Sequence, residues 1–414
     1  MTSIRVAYLV SHPIQYQAPL LQKLAALPEI DLHVYYMDDR GARRRRDPEF
    51  GVPVQWDIPL LAGYTWRLLR NRSPWPEAEN FLRFIHPEII GVLRRERYDA
   101  LIVHGYAHAT EWLAFFAAWA SRTPLLLRGE SNLLGRRPSW VAIGKRIILT
   151  NLLRRTQGVL AIGMLNRQFY RAYGVPEDRI FFTPYAVDND RFLAEAERLR
   201  DLRRNLRTSL GWPEDLPVIL YGGKLIPRKR PMDLLEAYCQ ILSDLPATLV
   251  LLGDGSERGP LARAIAERGL HYAFITGFVN QVEIPRYYAA SDVLVLPSSH
   301  EPWGLVLNEA MCFGLPVVAS DAVGGGPDLV RPGENGFIYP VGDVDALTHA
   351  LRMLLGDPAL RARMGTRSRE IVASYSFDID LQGILEALYT VAAKRGAADN
   401  VVAAGRVRDS RSES

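Results

Sequence analysis

Short apolar runs that stop on Gly, Ser, Pro or Asp, each followed by a longer amphipathic stretch, recur along the whole of this chain. The first half has "IRVAYLV", "IDLHVYYM", "ALIVHG", "PLLLRG" and "GVLAIG". The second half has "PVILYGG", "ATLVLLGDG", "AFITGFV", "VLVLPS", "LPVVASD" and "NGFIYP". Continuous apolar strands alternating with helices demand a parallel sheet covered on both faces, and their final residues are those of strand-to-helix turns. The predicted fold is α/β, two doubly wound units facing a cleft, with ligands at the carboxyl ends of the strands. The 414 residues suffice for two cores.

The expected division is a first domain over 1–190, a charged linker helix over 191–212, a second domain over 213–375 and an amphipathic helix over 376–395. That helix is free to cross back onto the first domain. The polar stretch 396–414 reads as a disordered tail. Fifty Lys and Arg stand against 46 Asp and Glu, a formal net charge of +4 that is too weak a surplus to indicate nucleic acid. Cys239 and Cys312 are far apart and lack histidines at metal spacing, so neither a disulfide framework nor a zinc site is expected, and a reducing cytoplasm fits. The opening residues are too short an apolar run for a signal peptide, and no segment approaches the roughly 18 apolar residues of a membrane span.

Chemistry concentrates in "SSHEPWGLVLNEAMCFG", which places Glu301 in a turn after a strand and Glu309 inside the following helix. The amides of Trp303, Gly304 and Leu305 open that helix without intrahelical acceptors, and Gly304 permits close approach, so the turn can cradle an anion. Two hydroxyl acceptors flanking such a cradle suit a sugar nucleotide. A diphosphate also needs cations, and Lys224 and Lys229 in "YGGKLIPRKRP" follow a strand directly, placing them on a loop at the same edge. Gly223, Gly253 and Gly255 end neighbouring strands and complete the expected donor-binding set.

Residues 218–345 resemble the retaining glycosyltransferases of family four, which have the two-domain, Rossmann-like GT-B fold and carry an E-x7-E motif, here Glu301 to Glu309. The resemblance implies transfer of a sugar from a nucleotide-diphosphate donor to an acceptor hydroxyl with retained configuration, and needs neither metal nor other cofactor. It assigns Glu301 to the transferred sugar, Glu309 to the ribose, and Lys224 and Lys229 to the diphosphate, with Glu301, Lys224 and Lys229 as the catalytic set. Lys224 stands where many members have Arg, which keeps the charge and loses the bidentate geometry. A sugar-nucleotide epimerase, a phosphorylase and a non-catalytic nucleotide-sugar-binding protein are the rival readings.

The first half departs from that pattern. Its first loop is "SHPIQYQ", so Ser11, His12 and Gln15 are candidates for the acceptor side, against a purely structural His-Pro turn. His104 ends a later strand, as acceptor ligand or core residue, and "RGESN" puts Arg128 or Glu130 at the edge where the family often has histidine. "PYAVD" replaces the usual "PNGVD" before the hinge. "DND" at Asp188 to Asp190 reads as a turn rather than a metal site. Arg43 to Arg46 are read as a loop over the cleft or plain surface. The basic amphipathic stretch around 135–158, with Arg136, Arg137, Lys145 and Arg146, fits either an ordinary helix or contact with an anionic bilayer. The expected partners are a nucleotide-sugar donor, a saccharide or lipid-linked acceptor and, under the second alternative, the inner face of the plasma membrane.

Overall fold

The computed structural model describes residues 3–134 and 139–409, with side chains described for all of these but 139–142 and 394–409. Arg136 and Arg137 lie outside the described residues. Of the tail expected to be disordered over 396–414, the backbone is helical to Asp409, and residues 410–414 lie outside the described residues.

Strands are numbered in chain order. The first sheet contains β1 (Ile4–Val10), β2 (Ile30–Tyr36), β5 (Thr65–Leu68), β6 (Ala100–His104), β7 (Leu125–Arg128), β8 (Gly158–Ala161) and β9 (Ile180–Phe182). Its order is β5-β2-β1-β6-β7-β8-β9, all parallel. The intervening β3 (Arg45–Arg46) and β4 (Pro53–Val54) form a separate antiparallel ribbon. The second sheet contains β10 (Val218–Gly222), β11 (Thr248–Leu252), β12 (Ala273–Gly277), β13 (Val293–Leu296), β14 (Val317–Ser320) and β15 (Gly336–Tyr339). Its order is β12-β11-β10-β13-β14-β15, again parallel.

The central strands of each sheet are buried on both faces, which is why they are apolar without alternation; the edge strand β5 is exposed. Val218 and Leu220 of β10 face one core while Ile219 and Tyr221 face the other. In β1, Val6, Tyr8 and Val10 oppose Ala7 and Leu9 in the same way. The C-terminal helix Phe377–Asp409 crosses back to the first domain, packs on β6, β8 and β9, and adds Ile384, Ala387, Leu388 and Val391 to the core on that face. Burial of Ile384 and Leu388 contributes about 1.5–3 kcal/mol each.

Topology fixes where a ligand can sit. From β1 the chain first runs outward to β2 and later returns to add β6 on the opposite side. It does the same at β10, between β11 and β13. A crevice opens at such a switch point, beyond the carboxyl ends of the two central strands. In the second sheet those ends carry Gly223 to Lys229 and Ser298 to Glu301; in the first they carry Ser11, His12 and His104.

Candidate active site

The loop after β10 turns through a short 3-10 helix, Pro227–Lys229, and meets the turn after β13. Ser299 fastens the two, its amide and hydroxyl donating to the Arg228 carbonyl at 2.8 and 3.0 Å. Lys229 Nζ thereby contacts Glu301 Oε2, with the two side chains 13% and 14% exposed. Burial, and then the like charges of Arg228 and Lys224, push the Lys229 ammonium down to about 7, against Glu49. The Glu301 carboxylate in contact with it favours the charged form. Glu301 is itself held by backbone: its amide donates to the Ala322 carbonyl at 3.3 Å, and its carbonyl accepts from Gly324 at 2.8 Å.

Gly304 caps the helix Leu305–Cys312 at φ 104°, and a Cβ there would come within 2.8 Å of the Leu296 side chain. The amides of Trp303, Gly304 and Leu305 have no acceptor among the described residues, so the helix opens with free donors toward the cleft. The Trp303 indole turns away from them. It is buried against Tyr185 and Tyr375, and its Nε1 donates to Asn308 at 3.0 Å. Glu309, the fifth residue of the helix, accepts from the Tyr288 hydroxyl at 2.5 Å. Burial raises its pKa, opposed by Tyr288, Arg191 and Gln281. With Gln15, Tyr16, Arg191 and Leu305 it lines a cavity of about 190 Å³ between the domains.

Gly253 and Gly255 work by close approach of backbone to backbone. A Cβ on Gly253 would sit 1.8 Å from the Gly223 carbonyl oxygen, and one on Gly255 2.4 Å from that of Leu225. They allow the loop after β11 to support the Lys224 loop, where Leu225 and Asp254 hydrogen-bond at 2.8 Å. Lys224 Nζ lies 2.6 Å from Glu49 and 3.4 Å from Asp47, both from the first domain.

On the opposite wall, Ser11 Oγ and His12 Nδ1 are 2.9 Å apart, and burial with the Arg40 charge holds the His12 imidazole down to about 4. His104 Nε2 lies 3.0 Å from the Tyr185 hydroxyl, which donates to Glu130 at 2.7 Å; Tyr16 donates to the same carboxylate oxygen at 3.2 Å. Since the Tyr185 proton goes to Glu130, His104 Nε2 is the donor to Tyr185, and Nδ1 is left to accept from Gln17 Nε2 at 2.9 Å. Burial, and then Arg128 and His12, push the His104 pKa down to about 3, keeping the ring neutral.

Arg128 corrects the sequence reading. Its guanidinium is 1% exposed and pairs with Asp380 of the C-terminal helix at 3.0 and 2.7 Å, so it faces the interior and not an acceptor. Asp188 Oδ1 accepts from the Arg191 amide at 3.1 Å as the cap of helix Asn189–Leu199. The sequence reading missed Glu49, Asp47, Tyr288 and Gln281. Asp47 and Glu49 were visible only as acidic residues directly after the arginine run, and nothing local marks Tyr288 or Gln281.

This fold is that of a two-domain GT-B glycosyltransferase. Residues 203–371 match the glycosyl transferases group 1 family and residues 14–186 the glycosyl transferase 4-like domain. A D-inositol 3-phosphate glycosyltransferase of Xylanimonas cellulosilytica is 34% identical over 324 residues, which cover 74% of this chain and 76% of that protein. An uncharacterized glycosyltransferase of Methanocaldococcus jannaschii is 27% identical over 305 residues, covering 70% and 74%. Among solved structures, Anabaena HepE in complex with UDP and glucose aligns with a TM-score of 0.70 at 21% identity, over 94% of this chain and 100% of that one. A Rickettsia africae glycosyltransferase aligns with a TM-score of 0.73 at 16% identity, over 94% and 99%. The chain belongs to the group 1 glycosyltransferases. Among the described residues, no helix is long and apolar enough to cross a membrane.

Proposed function

We propose that this protein transfers a sugar from a nucleotide-diphosphate donor to an acceptor hydroxyl with retained anomeric configuration. The observation that carries the reading is the meeting of Lys229 and Glu301 at the switch point of the second sheet, beside the free amides at Gly304. The leaving diphosphate is held by Lys224, Lys229 and those amides. Its charge restores what burial removes from Lys229, so that side chain acts as an ammonium when donor is bound. Glu301 orients the sugar and Glu309 takes the ribose hydroxyls. As the glycosidic oxygen departs, the acceptor oxygen bonds to the anomeric carbon on the same face, and its proton passes to a phosphate oxygen. Developing negative charge meets preorganised donors, the arrangement that lowers such barriers most. The side-chain cations take the place a divalent metal has in other transferases. The UDP and glucose bound by Anabaena HepE, on the same fold, support a sugar-nucleotide donor.

Site of action belongs to the same proposal. Ile143, Ile147 and Ile148 on helix Ser139–Arg154 are 61%, 59% and 53% exposed beside Arg146, a surface suited to an anionic bilayer on the cytoplasmic side. Glycan, polysaccharide or glycolipid assembly, with a saccharide or lipid-linked acceptor, follows from such a location.

A panel of UDP-, GDP- and ADP-sugars in a thermal-shift assay identifies the donor, since a ligand at 100 times its Kd stabilises by about 2.7 kcal/mol. Turnover of that donor with acceptor extracts is then followed in EDTA, with NMR of the new anomeric centre. Retained configuration and EDTA-resistant transfer are expected. An inverted product, a requirement for metal, or turnover of donor without acceptor refutes the respective part. Co-sedimentation with anionic liposomes, abolished in Ile147→Glu/Ile148→Glu, tests the location; wild type left in the supernatant refutes it.

A further inference from the structure

The ribbon of β3 and β4 is a hairpin that reaches from the first domain across the cleft. Its tip is a tight turn: Asp47 Oδ1 accepts from the amides of Glu49 and Phe50 at 2.9 Å each, and Gly51 closes the turn at φ 71°. Glu49 and Phe50 are thus presented in a fixed direction, into the diphosphate cradle. Glu49 Oε2 is 2.6 Å from Lys224 Nζ and its Oε1 2.7 Å from Arg228 Nη2. Asp47 faces Lys224 at 3.4 Å from a second side, and the Phe50 ring lies 5.0 Å from the same ammonium. Beyond the tip the segment is fastened outside the cradle. Asn280 Nδ2 donates to the Gln55 carbonyl at 2.7 Å, and the Val282 amide donates to Asp57 at 3.2 Å. Phe278 packs on Phe50 and Trp56.

Lys224, Arg228 and Lys229 therefore each face a carboxylate already, from Asp47, Glu49 or Glu301. A diphosphate entering with the tip in place would bring its charge to cations that are already neutralised. We propose that Glu49 is an internal competitor for the donor: the tip closes the empty cradle with a carboxylate, and donor binding exchanges that carboxylate for phosphate oxygens. The inference rests on the reading of Lys224 and Lys229 as diphosphate ligands. Because Glu49 is tethered, it acts at high effective concentration, and apparent donor affinity is reduced by the fraction of molecules with the tip lifted. The device also sets a threshold. A lone phosphate trades contact for contact, whereas a diphosphate reaches Lys229 and the Gly304 amides as well.

Calorimetric titration of the full chain with inorganic pyrophosphate tests this without knowledge of base or sugar. Glu49→Gln is expected to bind pyrophosphate roughly five- to tenfold more tightly than wild type. Phe50→Ala, which loosens the tip by a different contact, is expected to move the same way by less. In a Lys224→Ala background the gain from Glu49→Gln shrinks below about twofold, because the group competed for is gone. Hydrogen exchange of residues 45–52 rises when pyrophosphate is added to wild type. If Lys224→Ala weakens binding while Glu49→Gln binds no more tightly, or if exchange of 45–52 falls on binding, the competitor is refuted and the donor site stands. If Lys224→Ala and Lys229→Ala both bind as wild type, the donor-site reading fails and this inference with it.

Discussion

Two ion pairs stand at the carboxyl edges of the two sheets, and they are enclosed to different degrees. Arg128 ends β7 and meets Asp380, the pair 1% and 2% exposed, with the guanidinium also donating to the Thr183 carbonyl at 3.3 Å and lying 5.2 Å from the Tyr185 ring centre. Lys229, after β10, meets Glu301 with both side chains still open to the cleft. The partner differs in kind. Asp380 belongs to a helix that covers the back of the first sheet, while Glu301 belongs to another loop of the same crevice. A charge at a strand end is thus enclosed when the covering helix supplies its partner, and stays at the crevice when a neighbouring strand end does.

The sharpest way to break that contrast is Arg128→Ala. It leaves Asp380 buried and unpaired, where burial already raises the carboxyl pKa against Arg128's pull. A loss of about 3–5 kcal/mol in urea unfolding is expected. Arg128→Met with Asp380→Leu should recover most of it, since an apolar pair of similar volume removes the stranded charge. A single variant losing under ~1 kcal/mol would show that the clamp lies elsewhere. Lys229→Ala should do the reverse, lowering kcat for transfer by roughly 10²–10³ while the urea midpoint stays near wild type. Wild-type turnover would remove Lys229 from the site, and a large stability loss would make it a second Arg128.

What was legible beforehand follows the same division. All six strands of the second sheet lie in apolar runs visible in the sequence, because strands buried on both faces need no alternation. β5 escaped notice: it is four residues long and exposed throughout, so no core selects its pattern. Glu301, Glu309, Lys224 and Lys229 could be placed at one edge because each follows a strand end of the second sheet, and topology alone brings those ends together. Partners could not. Glu49 is 175 residues from Lys224, and Asp380 is 252 from Arg128, separations on which no local periodicity bears. Arg128 therefore read as an open edge residue when it is the most enclosed charge at that edge.

Acid sharpens the contrast further, because the first domain's edge holds neutral histidines. His104 and His12 have folded pKa values near 3 and 4 against 6.5 for the free side chain. Between those values the unfolded chain takes up protons that the folded chain refuses. Stability should therefore fall as pH drops from about 6.5 toward 4, by at most about 1.4 kcal/mol per pH unit for each group, and by less where solvent reaches the ring. His104→Gln should flatten this limb in urea titrations at pH 7 and 5. An unchanged slope would exclude His104 as a source of the acid sensitivity.

The smallest effect tests the junction of the two halves. Asp188 ends the "PYAVD" segment and caps helix Asn189–Leu199 through the Arg191 amide. Asp188→Ala should cost about 1 kcal/mol, the usual loss for an unreplaced cap, whereas Asp188→Asn should stay within a few tenths because asparagine caps as well. If Asn and Ala cost the same in urea unfolding, the carboxylate's charge matters and not its hydrogen bond. The Asp188 carboxylate would then have to be counted with Arg191 and Glu309, which line the interdomain cavity with it, and the junction would belong to the site rather than to the scaffold.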